Sequence, residues 1–258
     1  MNEHINDETS VYAATHRKPE WSPWATAGFG LIVLAVFLLV QFAVVLVYVE
    51  IMILNAPGAD SVLVAEEMQY DGTLLSIATI IGAIVAFAFI AFFIKLRRTY
   101  SILDYLSFRK VKRSTLVLCV CLVLVIGGLM DTITYLLGRP VVHEFMSTAY
   151  TTVVFKPLLW FAICFAAPFF EEVFFRGFLF TGFQSSRLGN VGAILLTTLP
   201  WTLIHVQYGP YELSQIFLLG VVLGVVRVRT QSIVPVILMH MVVNLAGTIQ
   251  TAIVISGG

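Results

Sequence analysis

Hydrophobic residues along this chain fall into long uninterrupted runs rather than into a stripe recurring every three or four positions. Residues 25–49 carry no charge, and neither do residues 73–94. A helix needs about 20 apolar residues to cross the hydrocarbon core of a bilayer, so each run predicts a transmembrane helix. The same pattern predicts further spans over 115–137, 157–183, 191–206, 213–226 and 233–255, the fifth and sixth being short. The first run follows a polar stretch, 1–23, is too long for a signal-peptide core and has no small-residue cleavage site after it, so no cleavage is expected. The expected fold is all-α, a polytopic transmembrane helical bundle of about seven spans. It divides into a polar cytoplasmic segment (1–23), N-terminal membrane helices with a basic cytoplasmic loop (24–150) and a C-terminal helical core (151–258).

Composition strengthens that expectation. The chain is 59% hydrophobic and 12% charged, with a mean hydropathy of +0.94, against about 45–50% and about 25% for soluble domains. Charge placement then orients the bundle. The link 95–113 holds Lys95, Arg97, Arg98, Arg109, Lys110, Lys112 and Arg113 against one acid, Asp104. The link 55–72 holds Asp60, Glu66, Glu67 and Asp71 and no base. Basic loops stay in the cytoplasm, so the N-terminus and the 95–113 link face inward. Arg17 and Lys18 agree, and the span count puts Arg187, Arg227 and Arg229 inside as well. Residues 101–113 read either as an amphipathic helix on the inner leaflet or as a plain basic loop. Gly220 and Gly224 have the spacing of a close-packed membrane helix face. Cys119, Cys121 and Cys164 all lie in apolar runs, which speaks against a disulfide framework or a zinc ribbon. The bilayer is an expected partner and nucleic acid is not. A compact chain with a short polar N-terminus fits a bacterial plasma membrane.

Charged groups inside a membrane helix cost at least ~2.5–3.5 kcal/mol each, yet the fourth span carries Glu171-Glu172-Val-Phe-Phe-Arg176. Glu172 and Arg176, spaced i,i+4, share a face and can neutralise each other. Glu171, about 100° around the helix, is not explained by that pair. A carboxylate without a counter-charge at this depth is made more basic by desolvation, as a general base requires. The fifth span contributes His205, in Trp201-Thr-Leu-Ile-His205. The seventh contributes His240 and Asn244, in His240-Met-Val-Val-Asn244, again on one face. A single buried histidine is usually a packing residue. Two of the chain's five histidines beside a carboxylate helix point to a site. Pro168, Pro200 and Pro235 each precede one of these polar groups by a few residues. A proline inside a helix frees a backbone group and opens a kink, which a membrane tolerates only where protein or water satisfies it. Three kinks beside three polar groups suggest a wet cavity.

Taken together, Glu171-Glu172-x-x-x-Arg176, a helix ending in His205 and His240-x-x-x-Asn244 resemble the CPBP intramembrane proteases. This is the CAAX-processing and bacteriocin-processing (Abi) group that includes the Ras-converting enzyme. The resemblance covers about residues 157–247. In the family a Phe often stands where this chain has Trp201. The resemblance implies an intramembrane endopeptidase acting on a membrane-associated protein or peptide, prenylated or not. It implies that Glu171 and His205 activate a water, that His240 and Asn244 stabilise the oxyanion and that Glu172 and Arg176 brace the helix. No cofactor is expected. Two other readings stay open. One is a zinc protease with Glu171, His205 and His240 as ligands, a known type of set, though the His-Glu-x-x-His motif is missing. The other is a non-catalytic immunity or transport protein, against which the lack of repeated halves counts.

Overall fold

The computed structural model describes residues 21–55, 68, 70–96 and 100–257. Asp60, Glu66, Glu67, Arg97 and Arg98 lie outside the described residues, as does nearly all of the polar segment 1–23. Among the described residues there is no strand. The helices are α1 (Pro23–Asn55), α2 (Gly72–Leu96), α3 (Arg113–Leu136), α4 (Glu144–Thr152), α5 (Lys156–Gln184), α6 (Gly189–Leu203), α7 (Pro210–Thr230) and α8 (Val234–Gly257). All except α4 and α6 are long and apolar enough to cross a bilayer, and the chain is a multi-pass membrane protein.

The fifth expected span is the one the structure changes. α6 has 15 residues, about 22 Å at 1.5 Å per residue, which falls short of the ~30 Å hydrocarbon core. Among the described residues the chain has six helices of spanning length, with the short α6 at the place of the fifth of the seven spans expected. Apolar Ile204 and Val206 extend the hydrophobic run past the point where the helix stops. Glycines fix how α6 meets α7. A Cβ on Gly220 would lie 2.6 Å from Thr198 and 2.9 Å from the Trp201 ring, and one on Gly224 would lie 3.0 Å from Ile194. Numbers rising on α7 as they fall on α6 make the pair antiparallel. Pro210 begins α7 about 15 Å beyond the Gly220–Trp201 level. The irregular link 204–209 therefore lies along the flank of α7 and not beyond its end.

α5 occupies the centre, packed against α1, α2, α6 and α8, with residues 172–180 buried throughout. Its winding is uneven. Ala162–Ala166 and Glu172–Leu179 are π-wound, with i→i+5 hydrogen bonds, around the α-helical stretch Ala167–Glu171. Such turns in an α-helix often mark functional sites. Pro200 lies inside α6 as expected, but Pro235 does not kink α8. It sits in the first turn, where no intrahelical donor is lost.

Neither expectation for residues 101–113 holds in full. A single helical turn, Ile102–Tyr105, is capped by the Ser101 hydroxyl, which accepts from the Asp104 N–H at 3.1 Å. The chain then turns into the bundle. Tyr105, Leu106 and Ser107 are buried, and Leu106 lies against Gly177 of α5. The Ser107 carbonyl accepts from the Ile233 N–H at 3.1 Å, and the Ser232 hydroxyl donates to the Arg109 carbonyl at 2.8 Å. Arg227, expected on the cytoplasmic side, is 2% exposed. Its Nε donates to the Arg176 carbonyl at 3.0 Å and its Nη2 to the Ser107 hydroxyl at 2.7 Å. This link is a plug that ties α5, α7 and α8 together at their basic end.

Candidate active site

α5 presents Glu171 and Glu172 to different neighbours. Glu172 is fully buried. Its Oε1 accepts from Arg176 Nη1 at 3.1 Å and lies 2.8 Å from His240 Nδ1. The Arg176 guanidinium also donates to the Gly220 carbonyl at 3.3 Å and stacks 4.3 Å over the Trp201 ring. The i,i+4 pair expected from the sequence is present, and π-winding does not separate it. Glu171 is different: its side chain keeps 15% exposure, while that of Glu172 has none. Glu171 Oε2 accepts the Trp201 indole N–H at 2.5 Å and lies 4.0 Å from His240 Nε2.

His240 thus bridges the two glutamates. A carboxylate only accepts, so the contact with Glu172 places a hydrogen on Nδ1. Nε2, facing Glu171, donates only when the ring carries both protons. His205 lies just past the end of α6, in the link 204–209 and not in a helix as expected. Its main-chain N–H bonds the Thr202 carbonyl at 3.1 Å. That tightened turn frees the Trp201 carbonyl from its helical partner, and His205 Nδ1 takes it at 2.7 Å. A carbonyl accepts, so Nδ1 carries the hydrogen and Nε2 of the neutral ring keeps its lone pair. Non-helical backbone at membrane depth occurs where protein buries it or water reaches it.

Asn244 follows from the winding of α5. The Ala167 N–H bonds the Ala162 carbonyl, an i→i+5 bond. The next such bond would join residue 168 to the Ile163 carbonyl, but Pro168 has no N–H. Asn244 Nδ2 fills the gap, donating to the Ile163 carbonyl at 2.9 Å. The structure therefore gathers Glu171, Glu172, Arg176 and His240 into one contact network, attaches His205 to it through Trp201, and anchors Asn244 one turn further along α8. Among the described residues no three His, Cys, Asp or Glu side chains are grouped to hold a metal ion. Glu172 is held by Arg176 and His240.

Residues 153–246 match the family model described as type II CAAX prenyl endopeptidase Rce1-like. Over this segment the chain is similar to the Rce1-like family. No curated protein and no solved structure matches the chain. The Rce1-like match implies a protease of the CAAX intramembrane endopeptidase kind, with the bilayer as its surroundings. It takes in α5, α6, α7 and the first half of α8, and so every residue of the cluster. It leaves out α1 to α4.

Two features of the site leave little mark in the sequence. Trp201 is a hub, touching Glu171 and Arg176 and lying edge-on to His205 and His240 with ring centroids at 5.3 and 5.5 Å. The one available signal was its place four residues before His205. The other feature is a wall formed by His143 and Phe145, whose rings pack edge-on against Tyr208 in the link at 4.8 and 6.0 Å. They stand at the start of α4, a short helix with no apolar run to announce it.

Proposed function

We propose that this chain is an intramembrane endopeptidase that hydrolyses a peptide bond of a membrane-associated substrate, with a prenylated CAAX tail as the favoured class. The observation that carries the reading is the unequal treatment of adjacent glutamates. Glu172 is consumed by Arg176 and His240, whereas Glu171 keeps an accessible carboxylate. In the proposed reaction a water lies between Glu171 and Nε2 of His205. As the water oxygen bonds to the substrate carbonyl carbon, Glu171 takes its proton. His240 Nε2, in the doubly protonated ring, and the second amide hydrogen of Asn244 face the oxyanion that develops. Removing one such donor costs ~2.7–4 kcal/mol of barrier elsewhere. The C–N bond then breaks, and the proton held by Glu171 passes to the departing amine. Water is the only co-reactant.

The test is cleavage of a farnesylated CAAX peptide by the purified chain, followed by mass spectrometry before and after prolonged chelation. The expected result is cleavage that survives chelation, with far less than one zinc per chain. Stoichiometric zinc lost together with activity, and both restored by adding zinc, would overturn the mechanism.

A further inference from the structure

We infer that Trp201 is a positioning residue that sets Glu171 and His205 relative to each other, an inference that rests on the proposed hydrolytic reading. Its two polar groups point at the two residues assigned to the water. The indole N–H donates to Glu171 Oε2 at 2.5 Å, and the main-chain carbonyl holds His205 Nδ1 at 2.7 Å. The second contact follows from where α6 stops, because a helix continuing through His205 would claim that carbonyl for itself.

The ring is fixed before it acts. Trp201 is 1% exposed, stacked under the Arg176 guanidinium and seated against Gly220, where any Cβ would collide with it. Arg176 in turn pairs with Glu172, so the buried ion pair, the indole and the accessible glutamate form one chain of contacts. A phenylalanine here would keep the aromatic face for Arg176 and lose only the donor. The indole N–H is therefore what this chain adds at the site. With Oε2 held, the glutamate has one preferred rotamer. The same residue sends His205 out with Nε2 bearing the lone pair, so the two water-binding atoms share one rigid support.

The experiment uses the full-length chain with ¹⁵N-labelled indoles. Trp201→Phe identifies the Trp201 N–H resonance by its disappearance. In Glu171→Ala that resonance is expected to move upfield, because its acceptor is gone. In cleavage assays Trp201→Phe is expected to lower kcat about tenfold, the scale of one lost hydrogen bond to a charged group, with KM and melting temperature unchanged. If Trp201→Phe melts early, benzothienylalanine at position 201 replaces the N–H with sulfur at the same ring size and is expected to show the same kcat loss. An indole resonance indifferent to Glu171→Ala, or a full kcat without the N–H, would overturn the inference while leaving Glu171-dependent hydrolysis standing. A wild-type chain that cleaves nothing would instead overturn the proposed function, and this role with it.

Discussion

Glu171 and Glu172 are chain neighbours that the fold treats as different chemical groups. Glu172 faces Arg176 one turn on and His240 from α8, both within hydrogen-bonding distance. Removing one partner of a buried ion pair costs ~3–5 kcal/mol, chiefly because the other charge is stranded. Glu172→Gln is therefore expected to lower stability by that order, read from thermal unfolding in detergent. A Glu172→Gln chain that is inactive but as stable as wild type would reverse the two roles. The Glu172–Arg176 pair was legible in the sequence because i,i+4 spacing is local. The attachment of His240 to the same carboxylate was not, since it depends on which faces of α5 and α8 meet. The same holds for Asn244: its bond to Ile163 arises from a π-turn coinciding with Pro168, and the winding of α5 leaves no mark in hydrophobic periodicity.

At the scale of elements, the hydrophobic runs placed the membrane helices to within a few residues, apart from α1, which continues six residues past its charge-free run to Asn55, and the difference that shapes the site lies at the end of α6. There the apolar run continues through residues whose backbone has already left the helix. His205 consequently belongs to a link at membrane depth, and the site is built at the broken end of a helix. The junction of α6 and α7 holds that geometry, with Gly220 admitting Trp201. Gly220→Val is expected to destabilise the chain by about 1–3 kcal/mol through overpacking and to cut cleavage sharply, because Trp201 and Thr198 must move. Gly247→Ala is the control, since a Cβ there meets nothing within 4 Å. It should leave the melting temperature unchanged. An equally stable, fully active Gly220→Val chain would show that the α6–α7 contact does not support the site.

For the molecule as a whole, charge asymmetry predicts which end of the bundle faces the cytoplasm. A cysteine at Ser61 is expected to react with an impermeant thiol reagent added outside intact cells, whereas one at Lys110, exposed in the basic link, should stay protected. The reverse pattern would invert the orientation and place the plug of residues 105–109 outside. Multi-pass architecture was legible from composition alone, because a chain this apolar has no soluble solution. The inward turn of Tyr105, Leu106 and Ser107 was not, since their short apolar run among bases reads equally as a surface helix. All of this architecture converges on one carboxylate held accessible beside a buried one. The most direct measurement is the cleavage rate of a farnesylated CAAX peptide by wild-type and Glu171→Gln chains in liposomes, with melting temperatures taken on the same preparations. The account predicts cleavage by wild type, none above background by Glu171→Gln, and equal melting temperatures. Undiminished cleavage by Glu171→Gln would contradict it.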